Sequence, residues 1–338
     1  MAIFTSAASF IIDDIRIRHS KDEPPHEKLG LLGGAGPFCA RLFLIQSTAK
    51  ALAYVTHEGR GCSAMASLQS LSLKLHPIPH PDMAHPRAWN TFEQSLDASN
   101  LNETRGFYYQ TPEIEYATHF RILPHHIPDD WTKTLEYIHV CTSGDRFVDW
   151  VSGFNMRGNR AVNYIWEPSP NSCKHQLYKE FEGALECATV VSPNHEELAS
   201  LLGLPTETVE LELLVSKTIP LTEKTSFVIR AGARGCIVIP KGGSPVTTVP
   251  AYWALDDAQQ VADVTGAGNS FLGGLMVGLK ETNGDLVTAA EYGSVAASFV
   301  VQQFGPPVLE IDDSGVERWN GENPRDRLIQ LHLRRGKE

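Results

Sequence analysis

The segment Asp263 to Gly274, Asp-Val-Thr-Gly-Ala-Gly-Asn-Ser-Phe-Leu-Gly-Gly, carries residues suited to phosphate chemistry. Gly266, Ala267 and Gly268 are small enough to let an anion reach the backbone, and Phe271, Leu272, Leu275, Met276 and Leu279 follow at helical spacing. Unpaired N–H groups and the helix dipole therefore meet at one point, where negative charge is stabilised. Asn269 occupies the first turn, where a carboxylate could take a proton from a hydroxyl group. An amide cannot act as that base.

Other chemistry-bearing residues are spread along the chain. The apolar run Ala8 to Ile15 contains Asp13 and Asp14, placed as a buried central strand would deliver acids at its end, or as a turn pair would stand. Asn194 opens a helical segment with Glu197 three residues later, the spacing of a capping box. Gly232 to Gly235 joins two strand-like runs, following Arg230. Gly33-Gly34-Ala35-Gly36-Pro37 makes a strand-to-helix turn. Its Gly34-x-Gly36 is not a dinucleotide fingerprint, because Cys39 stands where the third glycine belongs and no acid follows at the usual distance. His76, His80 and His85 lie in the proline-rich stretch 74–86, read as an exposed loop without the spacing of a metal site.

These residues need a frame. Strand-like and helix-like segments alternate: Tyr137–Cys141, Asp145–Phe154, Ala161–Trp166, Lys174–Leu185, Ala188–Ser192, then Ser226–Arg230, Cys236–Pro240 and Val246–Pro250, with a helix over Asp285–Gln303. Polar candidates fall where strands end, which predicts an α/β doubly wound, mostly parallel sheet with ligands at its carboxyl edge. Ala51–Thr56 reads as a further buried strand, Cys62–Leu71 as a helix, and the aromatic segment Arg105–Gln110 as part of a small protruding sheet.

Composition narrows the function. At 338 residues, 42% of them hydrophobic, the chain can bury a large core with a small appendage. A net charge of −11 without a basic stripe argues against nucleic-acid binding. Six scattered cysteines and no leader-like N-terminus suggest a reduced, cytoplasmic protein, and no apolar run reaches membrane-spanning length.

In chain order, the early strand with Asp13, the double glycine Gly33-Gly34, Asn194-x-x-Glu197, Gly232-x-x-Gly235 and Asp263-x-Thr-Gly-Ala-Gly resemble the ribokinase-like, or PfkB, carbohydrate kinases. Within them the chain is similar to the fungal Mak32-like proteins. The resemblance implies a ribokinase-like α/β/α sandwich over residues 1–310, with a small β lid from segments about 16–32 and 89–128, which could pair two subunits, and a tail over 311–338. It implies ATP, Mg²⁺ and a small-molecule phosphoryl acceptor: a sugar, nucleoside or related alcohol. Asp13, Gly33 and Gly34 would bind the acceptor. Asn194 and Glu197 would organise Mg²⁺ through water. Arg230, Gly232 and Gly235 would lie near the nucleotide, as would Asp263 and Thr265, whose region could also take a monovalent cation. Gly266, Ala267 and Gly268 would be the anion hole. Two positions depart from the family: Phe38 stands where many sugar kinases carry a sugar-binding Asn, and Asn269 stands where the family places its catalytic Asp. The implied activity is therefore a weak phosphotransferase, or a non-catalytic nucleotide-binding regulator or scaffold.

Overall fold

A computed structural model describes residues 4–8, 11–18, 24, 26–33, 39, 50–56, 74–80, 82–93, 104–111, 120–206 and 208–336. Gly34, Phe38 and the helix expected over 62–71 lie outside them. The first strands are β1 (Phe4–Ser6), β2 (Ile11–Arg18), β3 (His26–Gly33), β4 (Lys50–Thr56), β5 (Lys74–His80), β6 (Arg87–Glu93) and β7 (Thr104–Tyr109). After them come β8 (Tyr137–Thr142), β9 (Asn163–Pro168), β10 (Val190–Val191), β11 (Ser226–Arg230), β12 (Cys236–Ile239) and β13 (Thr247–Val249). A seven-stranded sheet has the order β1-β8-β9-β10-β11-β12-β13. It is parallel from β1 to β11 and antiparallel through β12 and β13.

Side-chain alternation along these strands builds a core on each face. Phe227, Ile229, Ile237 and Ile239 join Val140, Trp166 and Val191 in one cluster, with α1 (Gly144–Asn155), α2 (Tyr178–Ala184), α3 (His195–Leu202) and α4 (Leu211–Thr218) contributing to it. Their strand neighbours Val228, Cys236 and Val238 face the opposite cluster, which includes Leu272, Met276, Ala289 and Ala290 of α5 (Ala267–Glu281) and α6 (Leu286–Val300). The result is the expected α/β/α sandwich.

Two expected segments fold differently. The run 8–15 does not form a central strand: the chain pairs with β8 only through Ser6, and Ile11–Arg18 becomes the β2 strand of a separate four-stranded sheet of order β3-β2-β6-β7. Ile11 to Ile15 are all buried, so the apolar run marked burial correctly while saying nothing of which sheet would bury it. Residues Lys74–His80 of the proline-rich stretch form a strand, β5, paired in parallel with β4 and, among the described residues, with no other strand. An edge strand tolerates Pro77 and Pro79 where an N–H need not enter a ladder.

α5 and α6 pack closely because α5 carries glycines where α6 approaches. A Cβ at Gly274 would lie 2.5 Å from the Tyr292 carbonyl oxygen, and one at Gly278 2.5 Å from the Ala289 Cα. Beyond α6, the hairpin β14 (Leu309–Ile311) and β15 (Glu317–Trp319) leads to α7 (Pro324–Arg335). Leu331 of α7 packs with Phe299 and Trp319. Arg327 is buried over the Phe299 ring, 3.7 Å from its centroid, and bonds Glu322, Ser298 and Gln302. Among the described residues no helix is long and apolar enough to cross a membrane.

Close α5–α6 contact sets the position of the α5 N-terminus, and it has little room to give. Gly274→Val is expected to cost about 2–3 kcal/mol by overpacking, read as a lower urea midpoint with an unchanged slope; an unchanged midpoint would show that the pair can separate.

Candidate functional site

The α5 N-terminus is shaped by a short run of local bonds. Asp263 Oδ1 accepts from the Thr265 N–H at 3.0 Å, and the N–H groups of Ala262 and Asp263 donate to the Val301 carbonyl at the end of α6. Gly266 then takes a left-handed φ of 81°, which glycine adopts without a Cβ penalty, and turns the chain into the helix. The Ala267 N–H folds back to the Val264 carbonyl at 3.2 Å, while those of Gly268 and Asn269 find no acceptor among the described residues. These are the donors an anion would use. Val264 and Leu31 both pack against Ile15, so the smaller sheet is fastened to this loop near Asp13.

Beneath the helix start lies a buried polar chain that the sequence reading did not assemble. Ser6 Oγ accepts from the Ala8 N–H and lies 2.9 Å from His139 Nδ1. His139 Nε2 faces Glu167 Oε2 at 3.1 Å, and because a carboxylate only accepts, that ring nitrogen carries a proton. Glu167 Oε1 accepts from Arg230 Nη2 at 2.8 Å, and Oε2 accepts from Asn269 Nδ2 at 3.0 Å. Arg230 Nη2 also donates to the Ser192 carbonyl at 3.0 Å and stands 3.6 Å from Glu197 Oε2. Burial by itself would raise the Glu167 carboxyl, but the Arg230 charge and the His139 and Arg230 hydrogen bonds outweigh it and hold it at about 2. Glu167 is thus an ionised acceptor, and this orients the Asn269 amide with its NH₂ toward Glu167 and its Oδ1 away.

The other expected site residues are placed as follows. Asn194 and Glu197 form a reciprocal capping box at α3, with Glu197 N–H to Asn194 Oδ1 at 2.7 Å and Asn194 N–H to Glu197 Oε2 at 2.8 Å. Arg230 and Asn194 are joined as a β-bridge, so both sit beside the Glu167 cluster. Gly232 and Gly235 close the β11–β12 turn; Gly235 has a φ of 80°, and a Cβ there would overlap the Val249 carbonyl. Gly268 abuts Arg230, since a Cβ at that position would overlap Nη1. Thr265 Oγ1 is buried and has no hydrogen-bond partner among the described residues. In the smaller sheet, Asp14 accepts from Arg87 and Gln110, so one acid of the pair is an internal tie. Asp13 is buried between Leu31 and Ala88 in register, and Gly33 is paired with Ile11 at the end of β3.

The donor set suits phosphate groups. It suits a divalent cation only as one brought by those phosphates, because among the described residues no three acidic, histidine or cysteine side chains cluster as a metal site. In that case Glu197, with Asn194, would be the protein's contribution, the rest of the shell being phosphate and water. Thiol chemistry is disfavoured: burial first, then the charges of Glu167 and Glu197, push the Cys141 thiol well up.

Comparison with known proteins agrees with this geometry. The sequence signature of the pfkB family carbohydrate kinase matches residues 102–310. An uncharacterised Schizosaccharomyces pombe protein is 26% identical over 97% of this chain and 92% of its own length. Protein MAK32 of Saccharomyces cerevisiae is 27% identical over 94% of this chain and 89% of its own length. The crystal structure of a putative ribokinase II from E. coli in complex with ATP and Mg²⁺ superposes with a TM-score of 0.65 at 14% identity, covering 99% of this chain and 100% of that one.

The Glu167–Asn269 contact predicts an unusual response to restoring a carboxylate. An Asp at 269 would face an ionised Glu167 at hydrogen-bond distance, so its folded-state pKa would be raised above its unfolded value. The folded state then binds more protons, and Asn269→Asp loses stability relative to the native chain as pH rises above about 4. Glu167 itself has the opposite sign: its depressed pKa stabilises the fold above about 4.5, and that contribution fades as pH falls toward about 2. Urea denaturation from acid to neutral pH should show the falling stability in Asn269→Asp and its relief in Asn269→Asp with Glu167→Gln. A pH-independent offset in the single variant would disprove the coupling.

Proposed function

The chain belongs to the pfkB family of carbohydrate kinases, and we propose that it binds ATP at the α5 N-terminus and transfers a phosphoryl group slowly to a hydroxyl of a sugar, nucleoside or related small molecule. The observation that carries this reading is a helix start with unpaired N–H groups beside an Asn269 whose amide is held by Glu167. Bound MgATP would supply the phosphoryl group. The chain's own contribution is positioning and charge neutralisation, which provide most of the acceleration in a loose transition state.

Asn269 orients rather than deprotonates. Its Oδ1, turned away from Glu167, accepts a hydrogen bond from the acceptor hydroxyl and aligns it with the helix start. The nearest carboxylate, Glu167, is too weak a base to take that proton while Arg230 and His139 hold it near 2. Without a general base the rate falls by a factor of about 10² to 10⁴, or roughly 3–5.5 kcal/mol of barrier. Asp13 and Gly33 of the smaller sheet would contact the acceptor, near the loop that Val264 ties to Ile15.

The same held-down Glu167 favours a second reading, a nucleotide-binding protein without turnover. The two are separated by following ADP formation and phosphorylated product over a panel of sugars and nucleosides. Slow, acceptor-dependent turnover that falls by about tenfold or more in Asn269→Ala supports transfer. ATP binding without product supports the second reading, and turnover indifferent to Asn269→Ala would reject its orienting role.

A further inference from the structure

Arg230 has more hydrogen-bonding capacity than its protein partners use. Its Nη2 hydrogens go to Glu167 Oε1 and the Ser192 carbonyl. Among the described residues Nε is buried without a partner, and Nη1, which lies against Gly268 in the first turn of α5, makes no hydrogen bond. The side chain is only 12% exposed, and Nε is shut off from bulk water. Leaving buried donors unspent is costly, and a site with several of them together calls for an acceptor. Thr265 Oγ1, 5% exposed and also unpartnered, stands in the loop just ahead of the helix. The Gly268 and Asn269 N–H groups complete the set.

We infer that Arg230 makes this phosphate site independent of a divalent cation: the guanidinium, the α5 N-terminus and Thr265 together hold the phosphate tail of a nucleotide or another polyphosphate. This rests on the reading of the α5 N-terminus as the nucleotide's phosphate site and adds the source of its positive charge. Glu167 and Glu197 lie on the Nη2 side and anchor the guanidinium there. Nη1, against Gly268, is left for the ligand. Arg230 stands 3.6 Å from Glu197 and so supplies, from within the chain, a cation beside the carboxylate that would otherwise attract a metal ion.

The test is calorimetric titration of the full chain with inorganic phosphate, tripolyphosphate and ATP, each in EDTA and in Mg²⁺. Arg230→Lys keeps a cation beside Glu167 while removing the unspent guanidinium donors. Gly268→Ala displaces Nη1 without removing any charge. Thermal melting confirms that each variant folds. Tripolyphosphate and ATP should bind in EDTA, with affinity reduced about tenfold or more in Arg230→Lys and reduced also in Gly268→Ala. Phosphate binding as tightly as ATP would mark a single-phosphate site, still held by Arg230. Binding that requires Mg²⁺, or that is equal in the native chain and Arg230→Lys, overturns the inference while leaving the nucleotide reading intact. Phosphate or tripolyphosphate bound in EDTA and lost in Arg230→Lys, with ATP excluded, upholds the inference and removes the nucleotide reading. Absence of binding by all three removes both.

Discussion

A single buried carboxylate organises the functional end of this molecule. Glu167 lies near the carboxyl end of β9, only 6% exposed, where an unpaired charge would cost several kcal/mol. It is satisfied by donors from three other elements: His139 on β8, Arg230 at the end of β11 and Asn269 in the first turn of α5. Each partner is therefore held at a distance set by Glu167. His139 extends the chain to Ser6 on β1, and Arg230 extends it to Glu197 at the α3 cap. The carboxyl edge of the sheet is thus bound laterally by polar contacts, above a core that is otherwise apolar on both faces.

The helix start of α5, with its free backbone donors, was legible in the sequence because it depends on local properties. Gly266 to Gly268 are small, the apolar spacing that follows is helical, and a helix start has its own donors wherever it is placed. The parallel sheet was legible for a similar reason, since alternating strands and helices of these lengths have few ways to pack. The Asn194–Glu197 capping box was readable from spacing alone and folds that way. Glu167 was not readable as a site residue. It is 102 positions from Asn269, and its local signal was only an acid before a proline at the end of an apolar strand. An ionisable residue inside the run Tyr-Ile-Trp-Glu-Pro was nevertheless a clue, because such a residue needs partners from elsewhere in the fold.

The smaller sheet shows where local patterns give out. Ile11 to Ile15 announced a buried strand, but burial can be supplied by either sheet, and the chain changes sheets between Ser6 and Ile11. The consequence for Asp13 and Asp14 is that both belong to a sheet fastened through Val264 to the loop before α5, rather than to the edge of the main sheet. Asp14 is engaged with Arg87 and Gln110 in that sheet. In the β5 segment, the prolines suggested a loop because a central strand would reject them; pairing on one side with β4, and with no second strand among the described residues, removes that objection.

The amide at position 269 and the guanidinium at 230 are best understood as one electrostatic arrangement. Glu167 and Glu197 bring two negative charges to the neighbourhood and Arg230 one positive charge, so the cluster is already negative before any ligand arrives. A second acid at hydrogen-bond distance from Glu167 would deepen that potential beside the α5 helix start, and the two could not both ionise cheaply. Asn269 avoids this and satisfies Glu167 with an N–H instead. What is given up is a general base, a contribution of about 10² to 10⁴ in rate. What is retained is an anion-tolerant helix start with a fixed cation beside it. On the proposed reading such a site would first hold a phosphate and only second move it, and binding without a metal ion is the property that would most directly separate those two tasks.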